Sequence, residues 1–288
     1  MKNINISRVV LVFVLAIFTV SNAVSACTLF AASGDEWVKG GGTLINKNRD
    51  WEVEEQYTQV VFPSAGKYAY MGIYSAPSHG IRGGINEKGL VVITATASSI
   101  PTKERRAMPY KTGGIIIPML TECSSVEQAL SRTELFLGPQ YVMIADKNEV
   151  AYIEIAPGGV YSIKRVKNNV LYHTNHYLDP STSFANYRQP GVSSLTRYNR
   201  IGYLLNNTKK PFTLDDFIRF SNDQHDGVDN SIWRTGSKKT SSQTLAVFSV
   251  YIPKEGSPVI YTKIRENVAD QGKEKISIVK ADKIFKRY

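Results

Sequence analysis

Val24-Ser25-Ala26-Cys27-Thr28-Leu29-Phe30-Ala31-Ala32 is the stretch on which the reading of this 288-residue chain turns. Upstream of it stand a basic tip, Lys2 and Arg8, and an apolar run from Val9 to Val20, followed by small residues. Those are the three parts of a secretory signal peptide. The apolar run is shorter than the roughly 20 residues that a membrane span needs. Residues 1–26 are therefore expected to be a cleaved signal, cut after Ala26, and the protein to be exported, periplasmic or secreted. The remainder, residues 27–288, contains no linker-like break and reads as a single domain.

Cleavage there would make Cys27 the first residue, which leaves three readings of its thiol. It is lipidated, since Val24-Ser25-Ala26-Cys27 also satisfies a loose lipobox; or it pairs with Cys123, as exported compartments allow; or it is an N-terminal nucleophile whose own α-amine is the base. A lipid anchor needs a polar tether, whereas Thr28-Leu29-Phe30-Ala31-Ala32 reads as a strand that starts at once. The chemistry of the third reading is economical. Thiols ionise at a pKa of about 8.5 and α-amines at about 7.7–8.0, so the two exchange a proton near neutral pH. Nucleophile and base then sit in one residue, and no catalytic histidine is required.

Hydrophobic residues make up 42% of the chain and charged residues 21%, a globular mix that excludes collagen, coiled coil and wholesale disorder. The formal charge of +10 is dispersed, with no basic helix or RNA-binding aromatic motif, so nucleic acid is not an expected partner. Two cysteines exclude a disulfide framework and a Cys-rich zinc site. HExxH, GxGxxG and Walker A signatures are missing, and His173 and His176 lack a third ligand. No metal and no cofactor are expected.

The periodicity predicts a hairpin from 27–33 and 42–50, then strands at 58–62, 68–74, 80–85 and 90–97, the last two joined by Asn86-Glu87-Lys88-Gly89. Helices are expected at 112–122 and 125–136, with Ser125 and Gln128 resembling the start of a capping box. Further strands at 141–146, 151–155, 161–166 and 170–173 precede helices at 193–205 and 214–221, the second capped by Thr213. Strands at 243–251, 257–263 and, weakly, 275–279 complete the pattern. Alternating blocks of strands and helices predict an α+β fold with two stacked sheets between helical layers.

Cys27-Thr28-x-Phe30, Asn48-Arg49-Asp50-Trp51 and Gly84-Ile85-Asn86-Glu87-Lys88-Gly89-Leu90 resemble, in that order, motifs of the choloylglycine hydrolase and penicillin acyltransferase families. Tyr141–Ala156, Tyr172-His173-Thr174-Asn175-His176, the run from Ser193 to Arg200, and Gln243-Thr244-Leu245-Ala246 follow as they do there. The resemblance spans nearly all of residues 27–288 and implies an N-terminal nucleophile hydrolase with a four-layer αββα sandwich of mainly antiparallel sheets. It implies that Cys27 is nucleophile and base, that Asp50 holds its amine, that Asn175 donates to the oxyanion, and that Arg197, with Arg200 as the competing match, steadies the centre. Trp51 is a candidate wall of the substrate pocket.

Two positions depart from the bile-salt and penicillin V hydrolases. Their arginine three residues before the aspartate is Lys47 here, and Arg49 is expected to point differently from Asp50 by strand alternation. Their second oxyanion asparagine is Thr96 here, where a backbone N–H would have to serve. The expectation is thus a linear-amide C–N hydrolase acting through a thioester on a small N-acylated amide. Acyl transfer to an amine acceptor, or an inactive lipid-anchored envelope protein, stands as the alternative. Bile salts, penicillin V, N-acyl homoserine lactones and acylated amino acids stay open as substrates. Homo-oligomerisation is left open, and a membrane is a partner only if Cys27 is lipidated.

Overall fold

The computed structural model describes residues 26–109, 114–265 and 273–286, so the signal-peptide reading of 1–25 and the first two positions of the helix expected at 112 lie outside them. β1 (Ala26–Ser33) and β2 (Thr43–Trp51) form the expected hairpin, in antiparallel register with Cys27 opposite Arg49 and Ala26 opposite Asp50. Its turn closes on Gly42, held at φ +81°, where a Cβ would come within 2.1 Å of the Ile252 carbonyl oxygen. Only glycine combines that dihedral with that approach.

Two antiparallel sheets follow from the remaining strands. The first has the order β10 (Asn169–His173), β1, β2, β11 (Gln243–Ile252), β12 (Val259–Arg265), β13 (Glu274–Lys280). The second runs in sequence order from β3 (Gln56–Val61) through β4 (Tyr70–Ser75), β5 (Ile81–Asn86), β6 (Val91–Thr96), β7 (Gln140–Ala145) and β8 (Val150–Ile155) to β9 (Tyr161–Val166). Side chains alternate across a strand, so each of the central strands has two faces to bury. In β1 the set Cys27, Leu29 and Ala31 enters the layer between the sheets, with Ile45, Ile85, Ile93 and Phe248. The set Phe30 and Ala32 packs outward against Ile201, Leu205, Phe217 and Phe220. Those four residues come from α4 (Val192–Asn207) and α5 (Leu214–Ser221). The outer face of the second sheet, Leu90, Val92, Val142 and Ile144, is covered by Met119 and Leu120 of α2 (Ile116–Glu122) and Val126 and Leu130 of α3 (Val126–Ser131). This is the expected αββα sandwich.

Local signals explain the helix starts. Thr213 and Asp216 form a complete capping box at α5. Ser125 caps α3 through the Gln128 N–H, but the Gln128 side chain turns instead to the Ser124 N–H at 2.7 Å. Two helices were not expected, α1 (Thr102–Ala107) and α6 (Ala281–Ile284). α1 is Thr-Lys-Glu-Arg-Arg-Ala with no buried residue, so it carries no apolar stripe to read. Asn86 ties the β5–β6 turn to the end of α2: its Oδ1 accepts from the Lys88 and Leu90 N–H groups, and its Nδ2 donates to the Leu120 and Cys123 carbonyls, each at 2.8 Å. Among the described residues no helix is long and apolar enough to cross a membrane.

Candidate active site

The head of β1 brings the expected residues together. Cys27 is preceded in β1 by Ala26, and its nitrogen is a peptide N–H. That nitrogen donates to Asn175 Oδ1 at 2.8 Å. Asn175 lies just beyond β10, and its Nδ2 donates to the Thr96 carbonyl at the end of β6 at 2.9 Å. The Ser98 N–H returns a bond to the Asn175 carbonyl, joining the segment after β10 to the segment after β6.

Arg197, on the inner face of α4, is fully buried. Its Nη1 donates to the Cys27 carbonyl at 2.6 Å and to Thr28 Oγ1 at 2.9 Å, while Nη2 donates to Asn175 Oδ1 at 3.1 Å. With two donors on Oδ1 and an acceptor at Nδ2, the Asn175 amide has one orientation. One Nδ2 hydrogen remains for a ligand. Burial pulls the Arg197 guanidinium down to about 10, with Asp50 and Cys27 opposing that pull, so it stays cationic at neutral pH. Arg200, the competing match, makes a bidentate pair with Asp223 at 3.0 and 2.6 Å and fastens α4 to the segment after α5. The geometry puts Arg197, and not Arg200, at Cys27.

Asp50 is fully buried on the helix-facing side of β2, the side it shares with Ala26. Its Oδ1 accepts from Thr244 Oγ1 at 2.8 Å, and its Oδ2, without a hydrogen-bond partner, lies 4.0 Å from Arg234 Nη1. Burial pushes the carboxyl up, and Arg197, Arg234, the Thr244 hydroxyl and Arg49 hold it back. Arg234 escaped the sequence reading. It sits between the helix expected at 214–221 and the strand expected at 243–251, where no local pattern marks it. Thr244 was legible only as part of a motif; here its hydroxyl also accepts from the Arg234 N–H.

Lys47 and Arg49 both lie on the Cys27 face of β2. The alternation argument that set Arg49 apart from Asp50 therefore applies equally to Lys47, and the family position and its neighbour share one side. Lys47 Nζ donates to the Thr94 carbonyl. Burial holds Lys47 down to about 8, with Arg49 and Arg82 adding to the effect and Cys27 and Asp50 countering it. Trp51 is partly exposed at the end of β2, with the Arg49 guanidinium 4.7 Å above its ring.

Two cavities flank the head of β1, one lined by Cys27 and the other by Ala26. The first, of about 160 Å³, is lined by Cys27 with Lys47, Arg49, Trp51, Arg82, Arg105 and Thr96. The other, of about 570 Å³, is lined by Ala26, Asn175, Arg197 and Arg234 and by hydroxyl groups such as Ser98 and Ser193. Trp51 and Thr96 thus both border the thiol's cavity.

Other polar residues here are occupied structurally. His173 Nε2 lies 2.8 Å from Glu154 Oε1, and His176 Nδ1 lies 2.9 Å from Ser194 Oγ. Burial, with His173 nearby, lowers His176 to about 4 and keeps it neutral. Cys27 and Cys123 are both free, in different layers of the sandwich, which removes the reading that they are bridged.

Solved structures share this architecture. A mutant of the conjugated bile acid hydrolase from Clostridium perfringens superposes with a TM-score of 0.57 at 15% identity, over 89% of this chain and 93% of that one. The N-acylethanolamine-hydrolyzing acid amidase ortholog of Caenorhabditis elegans gives 0.52 at 13% identity, over 77% and 92%. No curated protein sequence matches. The layers and these neighbours define an N-terminal nucleophile hydrolase fold. The family model of acyl-coenzyme A:6-aminopenicillanic acid acyl-transferase matches residues 37–263, a span that begins downstream of Cys27 and includes Asp50, Asn175 and Arg197. The chain belongs to that family.

Proposed function

We propose that the protein is an exported amidase that hydrolyses a linear C–N amide bond of a small N-acyl compound, with Cys27 as its N-terminal nucleophile. The contact of 2.8 Å between the Cys27 nitrogen and Asn175 carries this reading. Removal of residues 1–26 turns that nitrogen into an amine without moving it from Asn175, and vacates the place of Ala26 opposite Asp50. The unpartnered Oδ2 of Asp50 then faces a position where an ammonium can form.

In the reaction the thiol proton passes to the α-amine, and the thiolate attacks the substrate carbonyl carbon. The remaining Nδ2 hydrogen of Asn175, with a backbone N–H of the segment at Thr96, receives the oxyanion. Such a donor contributes about 3–4 kcal/mol in comparable sites. Arg197 holds the Asn175 oxygen and the Cys27 carbonyl still, which is preorganisation and not proton transfer. The α-ammonium protonates the leaving amine, and water cleaves the thioester to release the acid and regenerate Cys27. An amine in place of that water gives the acyl transfer named by the family.

The test is the intact mass of the exported protein, with and without thiol alkylation, followed by a screen of N-acyl amides. We expect a chain that begins at an unmodified Cys27, carries two free thiols, and loses all turnover in Cys27→Ala. A diacylglycerol-modified Cys27, or full turnover in Cys27→Ala, would overturn the reading.

A further inference from the structure

Strand β13 closes one edge of the first sheet. β12 pairs along one side of it, and among the described residues no strand pairs along the other. Alternation sorts its side chains into two sets. Val279 packs against the layer between the sheets, so Lys275 and Ser277 share that inner face. Glu274, Ile276, Ile278 and Lys280 stand on the opposite, outer face.

Ile276 and Ile278 are 58% and 62% exposed, although they form the middle of the strand. An open ladder beside exposed hydrocarbon is a template for another strand, and natural edges usually avoid that combination. The outer face reads Glu-Ile-Ile-Lys, a pattern that complements its own reverse. We propose that this edge receives β13 of a second copy of the chain, antiparallel and centred on Ser277, so that two six-stranded sheets join into one. The inference goes beyond the amidase reading and does not depend on it.

The register follows from the residues. A two-fold axis perpendicular to the joined sheet keeps the outer faces of both copies on one side, and such an axis passes through a residue position. Centred on Ser277, it sets Ile276 opposite the partner's Ile278 and Glu274 opposite the partner's Lys280, each pair occurring twice. Centring on Ile276 sets Glu274 against an isoleucine, and centring on Ile278 sets Lys280 against one. Within its own sheet Glu274 already faces Arg265, so the partner's Lys280 places a second cation on its open side.

This self-complementarity is particular to β13. The edge strand β9, Tyr-Ser-Ile-Lys-Arg-Val, carries two cations and no acidic residue, so no reversed register pairs opposite charges there. An anionic lipid surface would accept the isoleucines and Lys280 but gives Glu274 no partner. A second copy satisfies all four outer residues.

Light scattering on the mature protein across a concentration series should show a reversible dimer. Lys280→Glu sets like charges opposite each other twice and should raise the dissociation constant by about tenfold, and Ile276→Lys should weaken the dimer by at least as much. Mixing Lys280→Glu with Glu274→Lys should restore it, because each carboxylate then meets a lysine. In Ser277→Cys the two new thiols fall within disulfide reach, so mild oxidation should give a covalent dimer, whereas Lys164→Cys on β9 should give none. Melting curves confirm that each variant folds. A monomer at every concentration would overturn the proposal, as would a dimer indifferent to these substitutions or one that Ser277→Cys does not lock. A monomer that binds phosphatidylglycerol vesicles, and loses them in Ile276→Lys, would also overturn it by making a membrane the occupant. Each of these failures leaves the role of Cys27 intact.

Discussion

The side-chain oxygen of Asn175 accepts from the backbone nitrogen of Cys27 across 148 residues of sequence, and the same oxygen is held by Arg197. Strand β1 delivers the first residue, the segment after β10 the second, and α4 the third. Asn175→Ala removes the oxyanion donor together with the tie to Thr96. The expected result is a fall in kcat of about 10²- to 10³-fold in a chain that still melts cooperatively. A kcat close to that of the unsubstituted enzyme would remove Asn175 from the mechanism.

Arg197 and Arg200 stand one turn apart and separate cleanly in their consequences. Arg197→Gln leaves three buried acceptors short of donors and Asp50 less compensated, at an expected cost of about 3–5 kcal/mol and loss of activity. Arg200→Gln breaks one partly exposed pair with Asp223 and should cost about 1 kcal/mol while turnover persists. Urea unfolding and steady-state rates on both variants decide this; the reverse ranking would contradict the placement.

Lys47 sets a pH signature. Its folded value, about 8, lies below that of the unfolded chain, so the unfolded state binds more protons between pH 8 and about 10.5. Stability from this group therefore rises with pH across that window, by roughly 3 kcal/mol in all. Lys47→Met should be the more stable protein at pH 7, and its advantage should shrink towards pH 10.5. A gap that stays constant with pH would show that Lys47 titrates as an ordinary surface lysine.

Glu154 answers to the acid side. Burial pushes its carboxyl up, but His173, Thr182 and the Leu178 N–H outweigh that and leave it below the ordinary range. Its stabilisation is complete above the unfolded glutamate value and disappears as pH falls through the folded one. Glu154→Gln should cost about 3–5 kcal/mol near pH 7 and progressively less in acid. Denaturation midpoints at pH 7 and pH 3.5 measure it. Because the same carboxylate fixes the turn from Leu178 to Thr182 just beyond Asn175, a drop in kcat should accompany the loss.

Cys123 provides the contrast to Cys27. It is buried at the end of α2 in the outer layer, where burial pushes its thiol up and away from reactivity. Cys123→Ala should therefore keep full activity and full sensitivity to thiol alkylation. Insensitivity of that variant to alkylation would place the reactive thiol at position 123.

The hairpin of β1 and β2, the cap at Thr213 and the paired sheets were legible because each rests on local periodicity or spacing. Cys27, Asp50, Asn175 and Arg197 came from motifs, and the fold brings them to one place. Arg234 was invisible, since only the return of a long irregular segment places it against Asp50. The helix at Thr102 was invisible for the opposite reason: it buries nothing, so it leaves no pattern. Arg49 does point away from Asp50, as alternation predicts, and the same count puts Lys47 beside it on the side of Cys27.

Ala26 is buried as the first residue of β1, with β2 on one side and β10 from three residues further on. Recombinant formats inherit that constraint. An affinity tag or fusion partner joined permanently ahead of Cys27 would have to thread out through the larger cavity and would block it. Purification handles, surface immobilisation and reporter fusions therefore belong at the C-terminal end, beyond α6.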